Sequence, residues 1–200
     1  MAEDGRRSQV DEVDRTLISL LQRDGRLSLE ELGRRLKLTG VGVKKRLKRL
    51  IEGGVVKVTA VVDAERVGFK LFLVMLDVGS PSRRAEMLRL LEECPRIVQA
   101  LPLIGAYNLC LLLAAEDDRA LENILSYNCV LGRCQGDIRR MEVYSVVGDM
   151  IPRHVSLRVY LARRGLEETP CGAQCPSCEG YERSGCLGCP ATRFYRGSLP

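Results

Sequence analysis

The chain has 200 residues, is 46% hydrophobic and carries a formal net charge of +5, enough for one or two domains with real cores. No apolar run reaches the ~20 residues that span a bilayer. The N-terminal MAEDGRRSQVDEVDR has no apolar stretch of the secretory kind. No membrane-spanning helix is expected and the protein is expected to be cytoplasmic, where nine cysteines point to metal or redox chemistry before structural disulfides.

The first predicted helix runs from Glu12 to Gln22, with Val13, Leu17, Ile18 and Leu21 on one stripe. Asp24-Gly25 turns the chain. A second helix starts at Ser28, where Ser28 and Glu31 have capping-box spacing and Leu29, Leu32 and Leu36 face inward. Leu38-Thr39-Gly40 is a turn, with Thr39 as cap of a third helix that ends at Gly53-Gly54.

Arg34 to Leu50 holds eight Lys or Arg and no acid. Residues 1–60 carry 14 basic and 9 acidic side chains, the whole of the excess, because residues 61–200 carry 17 of each. Solvated helix faces usually mix signs, so a one-signed run at this spacing points to a polyanion. Val43, Leu47, Leu50 and Ile51 line the inner side of helix three, which fits the major groove of double-stranded DNA. On the outer side Gly42 permits close backbone approach and Val41 meets a thymine methyl. Lys45 and Arg49 reach guanine or phosphate. Lys44, Arg46 and Lys48 position the helix on phosphates, and Arg34, Arg35 and Lys37 contact the adjacent backbone. Val55 to Val62, VVKVTAVV, reads as a wing strand.

From Phe69 the rhythm changes. Leu71–Val78 reads as a buried strand, Arg83–Glu93 as a helix and Ile97–Leu103 as a strand. After a turn at Ile104–Tyr107 come a strand at Asn108–Ala115, a helix at Ala120–Leu131 and a strand at Asp137–Val147. The order βαββαβ is ferredoxin-like, and Val155–Leu161 is a candidate extra strand.

Asp14 and Arg15, Asp24-Gly25-Arg26, Glu31-Leu32 and Val61-Val62-Asp63 are the points at which residues 8 to 150 resemble the Lrp/AsnC (feast/famine) regulators. The resemblance implies an α+β protein. It has a winged helix-turn-helix at 8–62, a linker at 63–70 and a ferredoxin-like effector-binding and oligomerisation domain at 71–163. It implies homodimers or higher rings, pseudo-palindromic operators and a small-molecule effector bound between the sandwich domains. Family members often open the recognition helix with hydroxyl residues that contact phosphate. Thr39 keeps that role here, followed by Gly40, Val41 and Gly42. The family's effector loop is similar to Gly105-Ala106-Tyr107-Asn108, which assigns Gly105, Tyr107 and Asn108 to the effector, with Asn where Asp is common. An Asn cannot ion-pair with a ligand ammonium group.

Residues 168–197 form a Cys-rich tail. Cys171, Cys175, Cys178, Cys186 and Cys189 fall within nineteen residues, with two C-x-x-C pairs, Cys175/Cys178 and Cys186/Cys189. Two such turns aim four thiolates at one point, which suits Zn2+. The spacing of Cys171, Cys175 and Cys178 also suits a [4Fe–4S] cluster, the alternative. The tail resembles Cys-rich appendages of archaeal regulators, and Tyr181, Phe194 and Tyr195 are expected to pack around the site. Cys94, Cys110, Cys129 and Cys134 read as small buried apolar residues, with Cys129 and Cys134 as a candidate redox pair.

The reading is a sequence-specific transcription regulator without catalytic residues. The alternatives are an enzyme similar to the siroheme decarboxylases, built on the same two domains, and a low-specificity architectural DNA-binding protein. The single histidine, His154, and the basic third helix favour the regulator.

Overall fold

In the computed structural model, residues 10–127, 129–148, 154–183 and 185–199 are described. The chain divides into two compact units, one ending at Ala60 and the other beginning at Val61. The expected start of the first domain, residue 8, lies outside the described residues.

The first unit is three helices held by their caps. α1 (Glu12–Arg23) opens on a reciprocal box: Asp11 accepts from the Asp14 N–H at 2.8 Å, and Asp14 accepts from the Asp11 N–H at 3.2 Å. α2 (Leu29–Leu36) is capped by Ser28, whose hydroxyl accepts from the Glu31 N–H at 3.1 Å. α3 (Gly40–Glu52) is capped by Thr39, accepting from the Gly42 N–H at 3.1 Å. The α2–α3 turn passes directly over Gly33, where a Cβ would stand 2.6 Å from the Leu38 carbonyl oxygen. Leu17, Leu32, Val43 and Leu50 are wholly buried between the helices, with Leu21, Leu36 and Leu47 packed on them. Burying such a side chain stabilises by roughly 1.5–3 kcal/mol, so four of them hold the three helices together.

The wing differs from expectation. Residues 55–61 join no ladder, and Val58 and Val61 are exposed. Only Val62–Asp63 (β1) is a strand. The run has strand propensity, but the described residues 10–60 offer it no second strand, and the partner of β1 comes from far along the chain.

The second unit carries the expected βαββαβ order. It comprises β2 (Lys70–Val78), α4 (Pro81–Glu92), β3 (Ile97–Pro102), β4 (Leu109–Ala115), α5 (Asp118–Ser126), α6 (Val130–Arg133) and β5 (Ile138–Ser145). The strands lie in the order β3-β4-β2-β5, every neighbour antiparallel. Period-two alternation assigns the faces. Phe72, Val74 and Leu76 pair with Leu113, Leu111 and Leu109 and pack with Met87, Leu91, Leu121 and Ile124 of the helices. On the opposite face Leu73 and Met75 pair with Leu112 and Cys110.

Three further expectations are corrected. Residues 63–70 are not a linker, because Ala64 and Phe69 are buried in the second unit and the Phe69 N–H donates to the Ala64 carbonyl at 2.8 Å. The helix expected at 120–131 is two, since Tyr127 is extended after α5 and α6 begins beyond Cys129. Instead of a strand over 155–161, His154–Val155 (β6) pairs with β1, Val62 opposite Val155, and Val159–Leu161 is a 3-10 turn.

The Cys-rich tail is part of this unit's core. Cys171 and Ala173 pack in the main cluster and Leu199 in a second one. Leu166 bridges Thr192, and α7 (Glu179–Glu182) brings Gly180 against Tyr127 so closely that a Cβ would meet the ring at 2.7 Å. Beneath it Arg96 donates to both Glu116 carboxylate oxygens, at 2.6 and 3.1 Å, with both side chains buried. Tyr195 donates to the same carboxylate. Arg96 also donates to the Gly188 carbonyl at 3.3 Å.

Candidate nucleic-acid interface

The inner side of α3 is fixed by Val43 and Leu50, which turns Val41, Lys44, Lys45 and Lys48 outward. Val41 is 79% exposed, an apolar side chain held in water at the first turn. No acidic residue lies in that turn, so the positive end of the helix dipole is uncompensated. Gly42 is half-buried beside the Thr39 hydroxyl, which is spent as the cap.

The eleven expected contact residues split into two groups. Arg46 and Arg49 turn toward Asp14, whose carboxylate is wholly buried. Arg46 donates to Asp14 at 2.9 Å and to Asp11 at 2.6 Å, and Arg49 donates to the other Asp14 oxygen. Arg46 is 29% and Arg49 52% exposed. Arg49 is thus tied to α1 rather than free to read a base. The Arg46 guanidinium also holds the Asp11 carboxyl below its usual range. Arg35 pairs with Glu31 at 2.7 Å, and Lys48 lies 3.6 Å from Glu52. Among the described residues no ion pair involves Arg34, Lys37, Lys44 or Lys45, and all four are exposed. Sequence reasoning placed Asp14 only as a family marker. The signal for its role was an acid on the inner side of an otherwise apolar helix stripe.

Residues 10–51 match the AsnC-type helix-turn-helix domain. The HTH-type transcriptional regulator FL11 of Pyrococcus furiosus is 30% identical over 120 residues, 60% of this chain and 80% of FL11. The chain belongs to the Lrp/AsnC family. It is a DNA-binding transcription regulator, and its relatives carry the regulator reading rather than the enzymatic one. Among solved Lrp/AsnC structures, the leucine response regulatory protein LrpA of Mycobacterium tuberculosis superposes with a TM-score of 0.60 at 27% identity, covering 69% of this chain and 92% of LrpA. The transcriptional regulator NMB0573 of Neisseria meningitidis, solved as an L-Met complex, gives 0.60 at 20% identity, over 74% and 94%. Each leaves a quarter or more of this chain unmatched.

The loop expected to hold the effector, Gly105 to Asn108, is partly spent on the fold. The Asn108 amide donates to the Val78 carbonyl at 2.8 Å and to Asp77 at 3.2 Å, and its oxygen accepts from the Val78 N–H at 3.0 Å. Those bonds clamp the end of β2 to the start of β4. Tyr107 packs on the Arg140 guanidinium, 5.1 Å from ring centroid to carbon. The nearby hydroxyls of Tyr107 and Tyr144, with Arg140, bring the Glu142 carboxyl down to about 2. Gly105 stands in the exposed turn between β3 and β4.

The Cys-rich extension of this Lrp/AsnC chain encloses a cavity of about 60 Å³ with largely apolar walls. All five tail cysteines line it, and so do Cys94 and Cys129 of the sandwich domain, two residues read from the sequence as apolar filler. Cys129 and Cys134 are not joined by a disulfide, and all nine cysteines are free thiols. The turn at Cys175 is closed by the Cys178 N–H donating to the Cys175 carbonyl at 3.1 Å. Burial raises the Cys175 thiol and carries Cys189 to about 12. Of the aromatics expected around the site, Tyr181 lines the cavity and donates to the Phe194 carbonyl at 2.9 Å, while Tyr195 is turned to Glu116. Among the described residues no three His, Cys, Asp or Glu side chains stand close enough to hold a single metal ion.

Proposed function

We propose that this regulator acts in the cytoplasm and binds pseudo-palindromic operator DNA in a sequence-dependent way, as a homodimer or a higher ring. In this reading a small effector, or the metal or redox state of the tail (Zn2+ or an iron–sulfur cluster), modulates binding. The observation that carries the DNA reading is the division of charge on α3: Asp14 takes the arginines, and the unpaired Lys44 and Lys45 remain on the outer side with Val41. Lysines of this kind position a helix on phosphates, and Val41 is the apolar group available to a base edge. The half-open outer face of the sheet supports self-association, since Leu101 and Tyr144 are large and exposed there beside Leu73 and Leu112. The L-Met found in NMB0573 supports an effector of the amino-acid class, with Tyr107, Arg140 and Glu142 as the polar group nearest the matching loop. Among the described residues no helix is long and apolar enough to cross a membrane.

The test is operator binding against salt. Replacing Lys44 and Lys45 by Ala is expected to lower the slope of log affinity on log salt by about 0.9 for each phosphate no longer neutralised. The same assay on unrelated DNA decides specificity. A preference of roughly a thousandfold or more marks a sequence-specific regulator, and equal affinity for every duplex would favour the architectural alternative.

A further inference from the structure

Three residues at the start of α3 run against the stability of a helix. Gly40, Val41 and Gly42 fill its first turn, where Ala would serve the helix better. The fold does not call for them. Neither glycine has a left-handed backbone. A Cβ on Gly40 would only touch the Leu29 backbone at 3.6 Å, and one on Gly42 the Thr39 hydroxyl at 3.3 Å. Val41 is 79% exposed and adds nothing to the core that Leu17, Leu32, Val43 and Leu50 complete. Local rules broken with no gain in packing mark a functional surface. With a glycine on either side, the Val41 side chain has no chain neighbour to crowd it, and Lys44 and Lys45 follow it on the same outer side.

The helix is also bare of most side chains that read bases by hydrogen bond. In the major groove adenine is matched by Asn or Gln, cytosine by Asp or Glu, and guanine by a two-pronged Arg. α3 has no Asn, Gln, Ser, Thr or His. Its one acid, Glu52, is in the last turn, 3.6 Å from Lys48. Its two arginines are bonded to Asp14. The Thr39 hydroxyl oxygen is spent on the Gly42 N–H. Lys44 and Lys45 are point charges that attract phosphate and guanine alike. Of the features the major groove displays, the one that the first turn of α3 is equipped to single out is the thymine methyl, which takes an apolar contact.

We propose that Val41 is the specificity-determining residue of this regulator and that it reads a 5-methylpyrimidine. A half-site is then chosen by a methyl group in the major groove rather than by hydrogen bonds to base edges. The proposal rests on the reading of α3 as a sequence-dependent reader of operator DNA, and it names the chemical group that is read. Two consequences separate it from hydrogen-bonded recognition. Deoxyuridine, which pairs as thymine does but lacks the methyl, is a poorer ligand. 5-Methylcytosine, which carries the methyl at the same ring position, is accepted in place of thymine better than cytosine is. Burying one such group corresponds to about fourfold in affinity.

The test uses the full chain. Operators are selected from a pool of random duplexes at one fixed salt concentration, and each thymine of the selected sequence is replaced in turn by deoxyuridine. One position per half-site is expected at which the wild type loses affinity about fourfold and Val41→Ala loses none. Cytosine placed there is expected to bind more weakly than 5-methylcytosine by about the same factor. Val41→Ala puts a better helix former at an exposed position, so the variant folds. Its salt slope should equal that of the wild type, because no phosphate contact is lost, and a flatter slope would move Val41 to the backbone and overturn the proposal. Deoxyuridine tolerated at every position would overturn it while leaving sequence-specific binding in place. So would a deoxyuridine loss that persists in Val41→Ala. A pool that yields no common sequence would overturn both the proposal and the sequence-dependent reading beneath it.

Discussion

Asp14 and Glu116 are both buried carboxylates that receive arginine, one in each unit of the chain. Asp14 is reached by Arg46 and Arg49, side chains of α3 that stay 29% and 52% exposed. Glu116 is reached by Arg96, only 6% exposed, and by Tyr195 of the tail. The same chemistry therefore does two things. In the first unit it sets α3 against α1 and pairs two cations, so the number of basic residues on α3 overstates the number left unpaired. In the second it closes a latch between the sheet and the C-terminal segment, away from water. The closed pair depends wholly on its partner, whereas the open one is partly solvated on the arginine side.

The largest effect is expected at the closed pair. Arg96→Met leaves Glu116 buried without a counter-charge and should destabilise the second unit by about 3–5 kcal/mol, read as a lower denaturant midpoint for that unit. The double variant Arg96→Met/Glu116→Leu should recover most of the loss, because two apolar groups of similar size need no pairing. A double variant no more stable than the single one would mean the pair is not closed. Asp14→Ala should cost less, about 1.5–3 kcal/mol from the first unit, since the released guanidinium groups find water. Its DNA affinity then sharpens the comparison. If Arg46 and Arg49 are structural, freeing them should weaken operator binding along with the fold, and a gain in affinity would show them to be withheld from the duplex.

The contrast also explains what could be read in advance. The helices of the first unit announce themselves locally: Asp11, Ser28 and Thr39 sit where caps are needed, and Leu17, Leu32, Val43 and Leu50 fall on the predicted inner sides. The sheet follows from the βαββαβ order because that order admits few topologies. Contacts between distant residues carry no periodic signal. Val62 finds Val155, Glu116 finds Tyr195, and Cys94 and Cys129 line one cavity with the tail cysteines. Cys94 and Cys129 looked like filler because a lone buried Cys is usually that, and only the folded tail shows what surrounds them. The Arg49–Asp14 pair was hidden for a different reason: a helical wheel reports direction, not the reach of a long side chain.

The smallest expected effect is an acid limb that separates the two units. Arg46 and the Asp14 N–H hold the folded Asp11 carboxyl below its ordinary value of 3.8. A depressed carboxyl contributes stability that is fully present above the unfolded pKa and is lost as pH falls through the folded one, here on the acid side of the ordinary value of 3.8. Glu116 behaves in the same direction for a different balance: burial raises its carboxyl, and Arg96 outweighs burial to bring it below its ordinary value. Asp11→Asn keeps a cap acceptor, because Asn caps helices well, and removes only the titrating charge. Thermal melts followed by amide spectra, unit by unit, should then show a flatter acid limb for the first unit, converging with wild type at the lowest pH. The second unit's limb, to which Glu116, Glu142 and Asp77 all contribute, should not move. If both limbs flatten together, the two carboxylates are coupled through the chain and the first unit's charge network reports on the second. That result would make Asp11, rather than the tail, the place to look for communication between DNA binding and the sandwich domain.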